Sequence, residues 1–267
     1  MTDPTLSIVI LTWNSRALLE ACLAALPAAT APLATEIIVI DNGSRDDTTA
    51  LLERRPDLVI VRNPRNRGVA AGRNQGLRLA RGAFVALLDV DTVAAPGAFC
   101  TLVEYLRATP DAGLVAPRLV GPEGELHYSC RRFPTLLDKV ARRLPSLGRS
   151  LTDDVELRWW DHATPRDVDY VIGACQVMRR PALQQVGPLD ERIFYGPEDV
   201  DFCLRMHRAG WRVIYVPQAE VAHLERRVTR KLLSTLTVRH AWALAYFFWK
   251  HRYLMRRPTT DALRRAA

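Results

Sequence analysis

Three copies of Asp-Val-Asp give this chain its most direct route to carboxylate chemistry, at Asp89–Asp91, Asp167–Asp169 and Asp199–Asp201. Paired carboxylates can hold a hard divalent cation beside a phosphate, and a single one can take a proton from a hydroxyl. Only the first copy closes an apolar run, Phe84 to Leu88, which places it at the end of a strand. If extended, Asp89 and Asp91 point to one face with carboxylates about 7 Å apart. One can then reach a ribose hydroxyl while the other ligates the cation. A turn in which Asp91 or Thr92 caps a helix near Pro96 is the plainer alternative. The second copy precedes Tyr170-Val-Ile-Gly173 with no polar cluster around it and reads as a strand edge.

The third copy follows the break Gly196-Pro197 and opens a helical pattern from Glu198 to Ala209, ended by Gly210. Acidic residues suit a first turn because of the helix macrodipole. Glu198, Asp201, Arg205 and Arg208 fall on one face at helical spacing, so Glu198 and Asp201 are expected to find basic partners there. Asp199 instead has Phe202 and Cys203 one turn on. A carboxylate on the apolar side of a helix start is costly unless a site uses it. Asp199 is therefore the candidate general base, expected to be partly buried.

These residues need a rigid frame. Leu6–Thr12, Glu36–Asp41, Leu58–Arg62 and Phe84–Leu88 are near-continuous apolar, β-rich runs. Helical patterns separate them: from Asn14 or Ser15 through Leu26, from Asp46 onward, and over Val69–Ala80. That alternation predicts an α/β fold with a parallel sheet covered on both faces. Ligands of such sheets bind beyond the carboxyl ends of the strands, which here carry Thr12, Trp13 and Asn14, then Asp41, then Asp89 and Asp91. Gly68, Gly72 and Gly76 lie at four-residue spacing with Arg67, Arg73 and Asn74 among them. No GxGxxG follows the first strand, which weighs against a dinucleotide. Small residues with arginines suit the diphosphate of a nucleotide-sugar; the glycines alone would equally permit close helix–sheet packing.

With 48% apolar and 25% charged residues over 267 positions, the chain can bury one substantial core, with or without a small subdomain. Five scattered cysteines without a CxxC pair argue against a disulfide framework or zinc knuckle and suit a reducing cytosol. No run is long enough to predict a membrane span. The net charge of +8 is uneven: positions 226–260 hold nine Lys and Arg and no acid, leaving the remainder near neutral. That disfavours a nucleic-acid-binding face spread over the fold.

Taken in order, several blocks form a pattern. Ser7-Ile-Val-Ile-Leu-Thr-Trp-Asn14, Ile38-Val-Ile-Asp-Asn-Gly-Ser44, Asn66-Arg-Gly-Val-Ala-Ala-Gly-Arg-Asn-Gln-Gly76 and Leu88-Asp-Val-Asp-Thr92 are followed by Gly173-Ala-Cys-Gln-Val-Met-Arg-Arg180, Phe194 to Arg205 and Gly210-Trp211. The chain resembles the inverting family 2 glycosyltransferases of GT-A fold, and among them the rhamnosyltransferase-like branch. The resemblance implies a Rossmann-like, mostly parallel sheet flanked by helices over residues 1–225. Residues 1–120 would bind the nucleotide-sugar and 121–225 the acceptor, with a basic helical tail over 226–267. It further implies donor contacts from Thr12, Asn14, Asp41 (at the pyrimidine), Arg67, Arg73 and Asp89. Asp91 and His223 would ligate Mg²⁺ or Mn²⁺, Asp199 would deprotonate the acceptor hydroxyl, and Gly173, Ala174, Cys175 and Glu198 would lie on the acceptor side.

Two departures stand out. Many rhamnosyltransferase-like members carry Asn-Pro-Asp or Asp-Pro-Asp where this chain has Asp89-Val-Asp91, and Leu224-Glu-Arg-Arg-Val228 replaces a glycine-rich stretch after the histidine. The implied donor is dTDP-rhamnose, with a UDP-sugar next, and the acceptor a glycan or a polyprenyl-diphosphate-linked sugar. The tail carries Trp242, Tyr246, Phe247, Phe248, Trp249 and Tyr253 between Arg230-Lys231 and Lys250, Arg252, Arg256 and Arg257. Such a segment suits an anionic membrane surface at the cytoplasmic face, a cover for the core, or a homo-oligomer interface. A sugar nucleotidyltransferase is the nearest rival by fold, but Trp13-Asn-Ser15 is not its glycine-rich, lysine-bearing loop.

Overall fold

A computed structural model describes residues 3–141, 148–224 and 235–265. β1 (Leu6–Thr12), β2 (Thr35–Asp41), β3 (Val59–Arg62) and β4 (Phe84–Asp89) alternate with α1 (Arg16–Thr30), α2 (Thr48–Glu53) and α3 (Val69–Leu79). Next come β5 (Thr92–Ala94), α4 (Ala98–Ala108), β6 (Ala112–Val120), β7 (Leu126–His127) and β8 (Cys130–Arg131). Two short helices, α5 (Leu136–Ala141) and α6 (Gly148–Val155), precede β9 (Arg166–Asp167), β10 (Tyr170–Val171) and β11 (Cys175–Arg179). The chain continues through α7 (Arg180–Val186), α8 (Glu198–Arg208) and β12 (Arg212–His223) to the tail helices α9 (Thr235–His251) and α10 (Thr260–Arg265).

The main sheet runs β3-β2-β1-β4-β11-β6-β12-β5. Its first four strands are parallel, as their unbroken apolar runs predict. β11 then enters antiparallel to both β4 and β6, while β12 lies parallel to β6, so the sheet is mixed. Alternation along β1 divides the core: Val9 joins one buried cluster with Leu87, Tyr215 and Phe247, while Ile8 and Ile10 join another with Leu23, Phe99 and Leu102.

Local chemistry accounts for small departures from expectation. α1 extends past Leu26 to Thr30 with Pro27 inside it, because Ala29 and Thr30 still face the core. α2 begins at Thr48, since the Asp46 carboxylate accepts the Thr48 amide proton ahead of the helix. On α3, a Cβ at Gly72 or Gly76 would collide with Leu11 or Val9 of β1. Those two glycines bring helix and sheet together.

The tail helix packs its Ala243, Tyr246, Phe247 and Phe248 into the molecule. Asp201, buried in α8, accepts hydrogen bonds from Arg205 Nε (2.8 Å), Lys250 Nζ (2.5 Å) and His251 Nε2 (2.8 Å). Lys250 and the Tyr246 hydroxyl also reach Asp190. Covering the core is thus one job of the tail. Arg230, Lys231 and most of the Leu224–Val228 loop lie outside the described residues.

Candidate active site

The carboxyl ends of β1, β2 and β4 open on one cleft of about 280 Å³, lined by Thr12, Trp13, Asn42, Asn66, Gly68, Asp89, Asp91, Phe194 and Tyr195 among others. Thr12 is buried there and its Oγ1 has no hydrogen-bond partner, as suits a hydroxyl kept for a ligand. Asn14 lies beside the cleft with φ at +49°, its side chain accepting from the Arg45 amide at 2.7 Å. Asp41 is buried at the end of β2 and holds the following turn, accepting from the Ser44 amide at 2.9 Å. Arg67 contributes a backbone amide to Asn42 Oδ1 at 3.0 Å while its side chain is exposed.

β4 ends at Asp89, and the chain turns before β5 begins at Thr92. That turn brings the first acidic pair closer than an extended strand would. β12 runs back antiparallel to β5 with His223 opposite Thr92, which carries the histidine to the same spot. One ligand atom each from Asp89, Asp91 and His223 all lie within 4.8 Å of one another, against the roughly 7 Å expected of an extended Asp89–Asp91 pair. Two hard carboxylates and an imidazole suit Mg²⁺ or Mn²⁺. The His223 ring stacks on His127, Nδ1 to Nδ1 at 3.2 Å, with Nε2 toward Asp91 at 3.5 Å. With Nδ1 donating to His127, Nε2 would be the nitrogen that faces a metal. His127 escaped sequence reasoning because only the β6–β7 hairpin brings it here.

Arg73 departs from expectation. Its side chain is almost fully buried and is held by Asp89 Oδ1 at 2.5 Å and the Gly173 carbonyl at 2.7 Å, so it is not open to a diphosphate. The Gly173 amide in turn donates to Asp199 Oδ2 at 3.2 Å. A continuous chain of polar contacts, Asp89–Arg73–Gly173–Asp199, therefore ties the cation cluster to the candidate base. Burial raises the Asp89 carboxyl above the ordinary range; Arg73 and His223 oppose this, and Asp91 adds to it. A cation between the two carboxylates would relieve their repulsion.

Asp199 is half-buried at the start of α8, its Oδ1 accepting the Val200 amide proton. Glu198 overturns the expectation of a helix partner. Arg205 is engaged by Asp201 and Arg208 by His251, while Glu198 is buried with Oε2 lacking a hydrogen bond. Burial, then the adjacent Asp199, pushes its carboxyl up to about 7 against the pull of Arg73. Arg205 lies two turns away along α8, too far for the pairing its spacing suggested. Ala174 and Cys175 are also corrected: their side chains lie in the core, so this segment reaches the site through backbone alone, the Gly173 amide and carbonyl and the Ala174 carbonyl that accepts from the Asp89 amide. The second Asp-Val-Asp copy is architectural, Asp167 pairing with Arg212 and Asp169 accepting from the Phe133 amide.

The family model described as glycosyl transferase family 2 matches residues 7–187. The chain belongs to this family. The transferase is 30% identical over 279 aligned residues to an N-acetylglucosaminyl-diphospho-decaprenol L-rhamnosyltransferase of Mycobacterium tuberculosis, covering 99% of this chain and 90% of the relative. It is 35% identical over 204 residues to a pre-mycofactocin glycosyltransferase of the same organism, covering 74% of this chain and 39% of that one. A mannosyltransferase from Pyrobaculum calidifontis, solved in complex with GDP-Man and Mn²⁺, superposes with a TM-score of 0.64 at 22% identity, covering all of this chain and 70% of its own. That likeness shows the GT-A fold.

Proposed function

We propose that this glycosyltransferase is inverting and divalent-cation-dependent, moving rhamnose from dTDP-rhamnose to a hydroxyl of a glycan or polyprenyl-diphosphate-linked acceptor in cell-envelope polysaccharide synthesis. The alternative donor is a UDP-sugar. Supporting the donor and acceptor is the likeness, over nearly the whole chain, to the mycobacterial rhamnosyltransferase. An acceptor on a lipid carrier places the work at the cytoplasmic face of a membrane.

The observation that carries the mechanism is the contact chain from Asp89 through Arg73 and Gly173 to Asp199. The donor nucleotide lies in the cleft that Thr12, Trp13 and Phe194 line. Asp89, Asp91 and His223 would hold the cation, which when bound neutralises charge on the diphosphate. On the other side of His223 a polar cleft of about 340 Å³, lined by His127, Tyr128, Arg131, Glu156 and Arg158, is suited to the hydroxyls of an acceptor sugar. Asp199 takes the proton of the attacking hydroxyl as its oxygen bonds the anomeric carbon. The bond from that carbon to the diphosphate oxygen breaks on the opposite face, so configuration inverts and the nucleoside diphosphate leaves.

Asp199→Asn tests this. Transfer is expected to fall about 10²–10⁴-fold, the usual contribution of a general base, while nucleotide binding measured by calorimetry persists. Near-normal turnover by the variant would remove Asp199 from the role.

A further inference from the structure

Among the described residues, most of the large exposed apolar side chains lie on α5, on α9 and just after α9. Leu136, Leu137 and Val140 of α5, Val238, Trp242 and Trp249 of α9, and Leu254 and Met255 just beyond are all solvent-exposed. Along α9 the exposed positions Val238, Trp242, Ala245 and Trp249 recur every three or four residues, forming one stripe down the helix. The opposite stripe, Ala243, Phe247 and Phe248, is buried. The helix is therefore apolar on two sides, and its fold uses only one of them.

Between α5 and α9 the second stripe borders an apolar cleft of about 830 Å³, floored by Leu244, Phe248 and Tyr253. Among the described residues that line it, Lys139 and Arg252 carry charge, and Arg256 is exposed nearby. Core-facing acids of the neighbourhood are already paired, Asp138 with Arg257 and Asp201 with Lys250 and His251. An apolar stripe with tryptophans and a rim of cations complements a lipid surface with anionic headgroups. Indole rings settle at the headgroup boundary and each nearby cation adds attraction. Among the described residues no helix is long and apolar enough to cross a membrane, so the geometry is that of a helix lying in the interface.

We infer that the α5–α9 face is a docking surface for an anionic lipid bilayer, into which Trp242, Trp249 and Leu254 insert while Lys139 and Arg252 meet the headgroups. This deepens the reading of a membrane-borne acceptor and rests on it for its purpose. α9 also holds the active-site side of the molecule: His240 Nδ1 lies 3.2 Å and 3.1 Å from the carbonyls of Tyr195 and Gly196, just before Glu198 and Asp199, and the Arg239 guanidinium covers the ring of Phe194. A bilayer seated on this helix would be one element away from the base.

The test needs neither donor nor acceptor sugar. Full-length protein is sedimented with phosphatidylcholine vesicles with and without phosphatidylglycerol, and tryptophan quenching by brominated lipid is read in parallel. Binding is expected only with phosphatidylglycerol and is expected to weaken about tenfold in Trp242→Ser/Trp249→Ser and in Lys139→Glu/Arg252→Glu. Calorimetric binding of dTDP or UDP should stay at the parental level in both variants, which separates this surface from the donor site and shows that the variants are folded. Equal vesicle binding by parent and variants would overturn the proposal. So would absence of binding, or a protein-only self-association that the same substitutions abolish, because the face would then seat a second copy.

Discussion

Glu198 is the residue whose environment departs most from its sequence context. It is buried beside Asp199 and Arg73, with Tyr195 close enough to feel its charge, and one of its oxygens lacks a hydrogen-bond donor. Its carboxyl ionises near 4.5 when unperturbed and near 7 in the fold. Between those values the folded protein keeps a proton that the unfolded chain has lost, so this group's effect is to lower stability as pH rises through that window. Glu198→Gln removes the ionisation. The variant is expected to gain on the order of 2 kcal/mol relative to the parent on going from about pH 5 to about pH 8, read as the difference in urea midpoints. A difference that does not change with pH would show that the buried carboxyl is not the cause. Turnover gives a second readout: if Glu198 serves only to seat Asp199, Glu198→Gln should keep most activity whereas Asp199→Asn loses it.

At the scale of elements, Asp201 joins α8 to the tail helix α9. Burial pushes its carboxyl upward, but His251, Arg205 and Lys250 together bring it down to about 2. Arg208 donates to His251 Nδ1, which leaves Nε2–H to bond Asp201 and keeps the imidazole neutral. Its stabilising effect is present above the ordinary carboxylate range and is lost as pH falls toward about 2. Asp201→Ala would strand several polar groups in the interior and is expected to cost about 3–5 kcal/mol. Lys250→Ala, at a partly exposed position, is expected to cost about 1 kcal/mol. Chemical denaturation would compare them, and equal small losses would mean that α9 is held by its aromatics alone.

This joint was hidden in the sequence, because the partners lie about fifty positions apart and nothing periodic links them. The parallel strands were legible because each is a short apolar run bounded by a turn residue. So were the third-copy helix, bounded by Gly196-Pro197 and Gly210, and the polar strand ends that open on one cleft. Arg73 was placed in the right neighbourhood with the wrong partner. Its spacing beside Gly72 said that it lay near the strand ends, but only the antiparallel entry of β11 brings Gly173 over it.

For the whole molecule, the decisive question is whether donor and cation bind as one unit on the folded sheet. A ligand that binds only the native state stabilises it by RT ln(1 + [L]/Kd), about 2.7 kcal/mol at a hundredfold excess over Kd. In a chain of 267 residues that corresponds to a rise of about 5–10 °C in melting temperature. dTDP or UDP with Mn²⁺ is expected to produce such a rise, and either alone a smaller one, since the cluster at Asp89, Asp91 and His223 supplies only part of a cation's coordination. Asp91→Ala should abolish the increment that Mn²⁺ adds while leaving the nucleotide's own. If chelated protein is stabilised by the nucleotide as strongly as metal-loaded protein, the three residues hold no functional cation. The larger response of the two nucleotides identifies the base of the donor, because both share the diphosphate and differ in the sugar and the pyrimidine.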